Sequence, residues 1–314
     1  MPRIATIGDV NVDLIVQLDR LPDLGKQVVV RDFRMSGGGS AANFSLACAR
    51  LGSGVQLFGK VGDDVFGTYV LVELDENGVD TENVSLTNKK TGMTFAMLQG
   101  AERSFITFRG ENATYSLDDI PVANIDAEIV HLPSYFLLDG LQRHYVTLID
   151  LLHAAGLKVS FDTGWDPRGF THETVGPLHD ILPLVDVFLP NIDEARGILG
   201  LGPAVRPDRA AEALLKMGVK TAVVKMGEGG CWVADKNTSG FIPAFKVDVV
   251  DTTGAGDNFA AGFITAYIGG KSVREAAVIG SATAALKIEG IGWPAYPERS
   301  QVYKFLADRG FGGL

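Results

Sequence analysis

Short, mostly apolar runs recur along the chain, each stopped by Gly, Pro or Asp. They are RIATIG (3–8), VQLFGKVG (55–62), AEIVHL (127–132), LKVSFD (157–162), VDVFLP (185–190) and TAVVKM (221–226). Nearly continuous apolarity is how strands read when a parallel sheet buries them on both faces. Between the runs lie segments of helical periodicity. SAANFSLACARLG, DVFGTYVLVELDENG and LQRHYVTLIDLLHAAG end on Gly52, Gly78 and Gly156, each suited to the left-handed turn after a last helical turn. Alternation of this kind predicts an α/β fold, doubly wound, with helices on both faces of a mostly parallel sheet. No repeat, low-complexity tract or long linker interrupts the 314 residues, so one domain over 1–314 is expected.

Two segments break the alternation. Residues 13–38 read as two strands around a Leu-Pro-Asp turn, and 94–110 as a hairpin turning at Gly100, Ala101 and Glu102. Neither is followed by a crossover helix, so these strands leave the parallel sheet and form a smaller antiparallel one. That sheet is either a plain extension or a lid over a site at the strand ends, where open α/β sheets place ligands and lids exclude water.

Composition narrows the class. A chain that is 46% hydrophobic and 21% charged can bury a sizeable core. A net charge of −10 argues against nucleic acid as a partner, because a phosphate backbone needs a basic face. Cys48 and Cys231 are single and far apart, which makes them core fillers in a reduced compartment rather than zinc ligands or a disulfide framework. The first residues, MPRIATIGDVNVDLIV, alternate like a strand and carry Asp9 and Asp13, unlike a signal peptide. No apolar run approaches the ~18 residues of a spanning helix. A cytoplasmic protein without a membrane partner is expected.

The most informative stretch is DTTGAGDNFAAGF (251–263), where a strand and tight turn lead into a helix. Gly254, Ala255 and Gly256 sit where a helix leaves its first amides unpaired, and small residues there let an anion approach the backbone. Asp257 follows in the first turn. It either caps the helix or takes the proton of a hydroxyl that attacks an anion held by the turn. Residues 36–52 carry a second glycine-rich helix entry, with Gly37, Gly38 and Gly39 before Asn43. It lacks the Lys-Ser/Thr of a P-loop. It suits close approach to a polyol, with Asn43 offering donor and acceptor, or simply a glycine-rich helix start. Asn11 and Asp13 lie two apart on one strand face, turned either to solvent or to a ligand. Asn191 and Glu194 read as a capping box. VVKMGEGGCWVAD (223–235) reads as strand, glycine turn and strand, either a nucleotide-edge loop or an ordinary hairpin.

Taken in order, Asn-x-Asp, GGGSAAN, the lid hairpin, NxxE, KMGEGG and DTTGAGD resemble the PfkB (ribokinase-like) carbohydrate kinases from Ile4 to about Pro297. VGDDVFG (61–67) adds to the likeness. The resemblance implies a three-layer α/β/α domain with lid segments at about 13–36 and 92–110. It also implies phosphoryl transfer from ATP, with Mg2+, to a hydroxymethyl group of a small sugar or nucleoside. By that likeness Asp257 is the base, and the Gly254, Ala255, Gly256 and Asp257 backbone is the anion hole. Asn11, Asp13, Gly38, Gly39 and Asn43 contact the acceptor; Arg103 and Phe105 of the lid either pack over the substrate or seal a dimer of lids, and Arg168 either meets an acidic or phosphorylated sugar or is a surface charge. Asn191, Lys225, Gly227, Gly230 and Thr283 frame the nucleotide. Glu194 supports magnesium indirectly, Asp251 and Thr253 match positions holding a monovalent cation such as K+, and a homodimer through the lid is implied.

The departures bear on the acceptor. Ser40 stands where ribokinases typically have lysine, Ser134 about where a sugar-binding glutamate often falls, and Asn258 where a smaller residue is commoner. Alternatives are a nucleoside kinase on the same scaffold, or a non-catalytic sugar or nucleotide sensor, against which Asp257 argues. A nicotinamide dehydrogenase is excluded, since IATIGDVNVD lacks the GxGxxG turn.

Overall fold

In chain order the strands are β1 (Arg3–Ile7), β2 (Asn11–Gln17), β3 (Phe33–Gly38), β4 (Gly54–Gly62), β5 (Val79–Asp80), β6 (Val84–Thr87) and β7 (Gly92–Gln99). They continue with β8 (Glu102–Phe108), β9 (Ile129–Leu132), β10 (Lys158–Phe161), β11 (Val187–Phe188), β12 (Thr221–Lys225), β13 (Cys231–Asp235) and β14 (Ser239–Ile242). The structure, a computed structural model, describes residues 3–30, 32–99 and 102–314. The large sheet has the order β14-β13-β12-β11-β10-β9-β1-β4-β5, with β6 also beside β4. Pairing is parallel from β12 to β5, and β13 and β14 close one edge antiparallel.

The apolar runs are buried on both faces because successive side chains enter different cores. Ile4 and Val223 join Phe44, Phe259 and Phe263 under helices Ser40–Arg50, Ala255–Ile268 and Val273–Lys287. Their neighbours Ala5 and Val224 join Leu148, Leu152 and Leu214 under helices Tyr145–Ala154 and Pro207–Lys216. Each fully buried Leu, Ile or Phe contributes roughly 1.5–3 kcal/mol. Three layers result. The segment read as one helix from Leu141 is broken into Asp139–Gln142 and Tyr145–Ala154, and helix Arg299–Ala307 closes the chain without having been anticipated.

The two segments that broke the pattern form a separate sheet of order β3-β2-β7-β8. The β2–β3 and β7–β8 pairs are antiparallel, but the central pair β2–β7 is parallel. The reason is topological. Both strands leave the same end of the large sheet, β2 after β1 and β7 after β6, and so run in the same direction. The β7–β8 turn at 100–101 lies outside the described residues. Among the described residues no helix is long and apolar enough to cross a membrane.

Candidate active site

The chain builds β4 and β5 on one side of β1 and β9 to β12 on the other, so the winding reverses between β1 and β9. In open α/β sheets ligands bind outside the carboxyl ends of the strands at that point. Asp9 follows β1, Ser134 follows β9, Asp162 follows β10, Asn191 follows β11 and Lys225 ends β12, all on this edge. The glycine-rich entries of helices Ser40–Arg50 and Ala255–Ile268 reach it from one layer, and β2 and β3 of the small sheet reach it from the lid side.

Gly254 is the N-cap of helix Ala255–Ile268, with φ of 73°. A Cβ there would be strained and would lie 2.6 Å from the Tyr296 hydroxyl, so the turn requires glycine. The amides of Gly256 and Asp257 lie in the first turn, without intrahelical acceptors. Buried Asn258 fixes the turn from behind, donating from Nδ2 to the Gly254 carbonyl at 2.9 Å. This accounts for the asparagine after the candidate base.

Asp257 is half-buried, and its Oδ2 accepts from Asn43 Nδ2 at 2.8 Å. Asn43 Oδ1 in turn accepts the Trp293 indole Nε1–H at 2.7 Å. Because an indole only donates, this contact fixes which way the Asn43 amide faces. The Trp293 amide donates to Ser36 Oγ at 3.2 Å, tying the relay to the lid. Burial pushes the Asp257 carboxyl up to about 7; Asn43 opposes that shift, Asp162 and Asp9 add to it, and Lys225 opposes it.

Asp13 is buried across the cleft, and Gly38 makes room for its carboxylate: a Cβ on Gly38 would come within 2.2 Å of Asp13 Oδ1. Burial, then Asp9, Asp257 and Asp251, push Asp13 up to about 8, against Lys287. Gly39 turns beneath the Asp9 carbonyl. Asn11, predicted as an acceptor contact, is held within the protein. Its carbonyl accepts from Asn112 Nδ2 at 2.7 Å and its amide donates to Asp9 Oδ2 at 3.2 Å. Asp9 also accepts the Ala41 amide, and burial raises its pKa.

Lys225 Nζ pairs with Asp162 Oδ2 at 2.6 Å and would lie 3.4 Å from a Cβ on Gly256, overlooking the helix N-terminus. Burial works against its charge, but Asp162 and Glu194 outweigh it, and its pKa lies above the ordinary lysine value. The capping box is present: Asn191 Oδ1 accepts the Asp193 and Glu194 amides, and Glu194 Oε2 accepts the Asn191 amide at 2.7 Å. Burial, then Asp162, push Glu194 up to about 7. A helix N-terminus beside an ammonium suits a terminal phosphate. Two mutually repelling carboxyls beside it suit a magnesium ion, which takes one or two carboxylates, phosphate oxygens and water.

Other predicted contacts lie apart from this constellation. Thr283 is removed from the nucleotide frame: it is fully buried, donates to the Ile279 carbonyl at 2.9 Å and packs against Gly262 of the neighbouring helix. Gly230 is buried against the Ile242 carbonyl, a hairpin role, while Gly227 lies exposed in the open loop. Arg168 is exposed on a loop whose Arg168 and Phe170 amides are gathered by buried Asp166. Phe105 pairs with Ala96 in a row with Ile15, on the lid face that carries Asn11 and Asp13. Only the backbone pairing of Arg103 with Leu98 is described; its side chain lies outside the described residues. Asp251, predicted to hold a monovalent cation with Thr253, is instead paired with the Lys287 ammonium.

Sequence reasoning passed over Asp9, Asp162, Lys287, Asn112 and Trp293. Asp9 and Asp162 had a usable signal, since each follows a buried parallel strand at its carboxyl end. Lys287 stands out as a lone cation closing the small-residue helix run SATAALK. Nothing in the local sequence marks Asn112 or Trp293.

A carboxyl raised to about 7, a glycine turn opening a helix, and a largely buried lysine over that turn make a candidate site for an anionic group beside a hydroxyl. A sequence profile of the pfkB family carbohydrate kinases matches residues 1–295. The chain belongs to that family and is a carbohydrate kinase. It is 32% identical to an ATP-dependent ribose-1-phosphate kinase of Halopiger xanaduensis, over 98% of this chain and 99% of that one. It is 27% identical to a ribokinase of Haemophilus influenzae, over 96% and 98%. Arabidopsis thaliana ribokinase, solved with ribose and ATP, superposes with a TM-score of 0.82 at 28% identity, over 97% of this chain and 98% of that one.

Proposed function

We propose that this kinase transfers the terminal phosphoryl group of ATP to a hydroxymethyl group of a small neutral sugar. The observation that carries the reading is the convergence of Asp257 and Lys225 on the N-terminus of helix Ala255–Ile268. Asp162 and Glu194 would hold the magnesium of bound MgATP, which would screen the phosphate charge during transfer. Asp257 accepts the proton of the acceptor hydroxyl as its oxygen attacks, using the carboxylate oxygen that Asn43 leaves open. The amides of Gly256 and Asp257 and the Lys225 ammonium hold the transferred group's oxygens, so catalysis is mostly positioning and charge stabilisation. Asp13 accepts acceptor hydroxyls from the lid side. Asn43 acts on the base rather than on the sugar.

Asp9, Asp13 and Asp257 already repel one another, which disfavours an acceptor carrying its own negative charge near them. The half-exposed ring of Phe105, on the site-facing side of the lid, supports a nucleoside as the second reading. Coupled ADP release with neutral sugars, polyols, sugar acids, ribose 1-phosphate and nucleosides tests both. A neutral sugar is expected to give the highest kcat/KM. A sugar phosphate or sugar acid ahead of it would transfer the specificity argument to Arg168 and Arg103. If no acceptor raises ADP release above background, the reading fails.

The pH profile tests the role of Asn43. Asp257 must be ionised to take a proton, so kcat should rise with pH through about 7. Asn43→Leu removes a hydrogen bond that favours the ionised form, so this limb should move up by about one pH unit. An unmoved limb would show that the titrating group is not Asp257.

The other face of the lid supports a homodimer. Met35, Leu14, Phe95 and Ile106 form one row across all four strands, and Phe33 and Phe108 lie exposed on the flanking rows. A contiguous apolar face of this kind fits the same face of a second copy. Sedimentation should give twice the chain mass for the native protein and the single-chain mass for Ile106→Asp. A native monomer at micromolar concentration would refute the assembly.

A further inference from the structure

Lys287 is completely buried on the last turn of helix Val273–Lys287, where the helix dipole favours a cation. Its Nζ donates to the Asp251 carbonyl and to Asp251 Oδ2, both at 3.0 Å. The other carboxylate oxygen, Oδ1, accepts the Thr253 amide at 2.8 Å, one residue before Gly254. The Val250 and Asp251 amides donate to the Ile288 carbonyl at 2.7 and 3.2 Å. The ammonium is therefore wedged between the end of helix Val273–Lys287 and the strap that leads into the first turn of helix Ala255–Ile268, which precedes it in the chain.

The family likeness places a monovalent cation at Asp251 and Thr253, and the residues here do not fit one. The Asp251 carbonyl and carboxylate already bind a full positive charge. An alkali ion sharing them would sit beside that like charge with one carboxylate between the two.

We propose that Lys287 is a built-in substitute for the monovalent cation. It is a positioning residue that fixes the Asp251–Thr253 strap, and through it the Gly254 turn, so that phosphoryl transfer proceeds at full rate without K+ or Na+. The inference rests on the phosphoryl-transfer reading above. Physically, a tethered ammonium offers the charge and donors that a bound ion would otherwise bring. It is present at every salt concentration, with no ion to recruit from solution.

The test compares KCl, NaCl and choline chloride at equal ionic strength. With saturating MgATP and acceptor, wild-type kcat should vary by no more than about twofold, the scale left to general screening. Its thermal midpoint should show no shift specific to K+. Activation by K+ of about tenfold or more, or K+-specific stabilisation, overturns the proposal. Lys287→Ala in choline chloride should lose about tenfold or more in kcat, with a smaller change in acceptor KM. Ammonium or K+, small enough to enter the vacated space, should restore part of that rate. A folded variant that keeps full kcat, or that no small cation rescues, overturns the positioning role. If the variant does not fold, the wild-type salt series still decides. If no acceptor turns over in any salt, the phosphoryl-transfer reading fails, while the melting series still shows whether K+ binds.

Discussion

Asp257→Asn is expected to lower kcat by about 10²- to 10⁴-fold, the range for loss of a general base, with a much smaller effect on ATP binding. The replacement keeps the shape of the side chain and can still accept the Asn43 hydrogen bond, so the helix and its glycine turn should stand. What disappears is a group that takes a proton. The pH profile should change with it: the wild-type limb through about 7 should be absent from the residual activity. Stability separates loss of chemistry from loss of fold. Asp257 titrates near 3.8 when unfolded and about 7 when folded, so the native state binds more protons across that interval. Wild-type stability from this group therefore falls as pH rises from about 4 to about 7. The variant lacks that slope and should be at least as stable as wild type at pH 8 by urea titration. Steady-state ADP release near the wild-type rate would remove Asp257 from the base role.

Much of this architecture was legible because parallel strands and their crossover helices are local patterns. RIATIG, TAVVKM and the Gly52, Gly78 and Gly156 stops each carry their own signal, and each sits where its period predicts. The small sheet was legible by default, as strands without crossover helices. Its parallel β2–β7 pairing was not, because that depends on where two distant strands leave the large sheet. In the site, glycine turns announced themselves, but partners across the cleft did not. Asn43 reads in isolation as a polyol contact. Only the fold brings Trp293, 250 residues away in sequence, onto its carbonyl, and Asp257 onto its amide. Asn11 is engaged in the same way by Asn112, 101 residues away. The family resemblance makes Asp251 a cation ligand, and nothing nearby in the chain shows that Lys287, at the end of helix Val273–Lys287, would reach it. Such long-range pairings set what a polar side chain has left to offer a ligand, and no local pattern encodes them.

Lys225→Met is expected to lower kcat/KM for ATP by about 10²- to 10³-fold, the scale for removing one charged donor from a transition-state clamp. Its ammonium overlooks the turn at Gly256, the proposed seat of the transferred oxygens, and the thioether that replaces it offers neither charge nor donor. A second effect follows on Asp257. Lys225 opposes the upward shift of that carboxyl, so the acidic limb of the residual activity should move to higher pH. The variant should also be less stable. Lys225 and Asp162 are each only 14% exposed, and removing one partner of a largely buried pair costs about 3–5 kcal/mol. That loss could be mistaken for the cause of inactivity, and a double variant separates the two. Lys225→Met with Asp162→Asn no longer buries an unpaired charge, so urea unfolding should recover much of the lost stability. Because the phosphate-facing ammonium is still missing, kcat/KM should stay low. If the double variant regains the rate along with the stability, the loss in Lys225→Met came from the unpaired buried carboxylate and not from a missing phosphate contact.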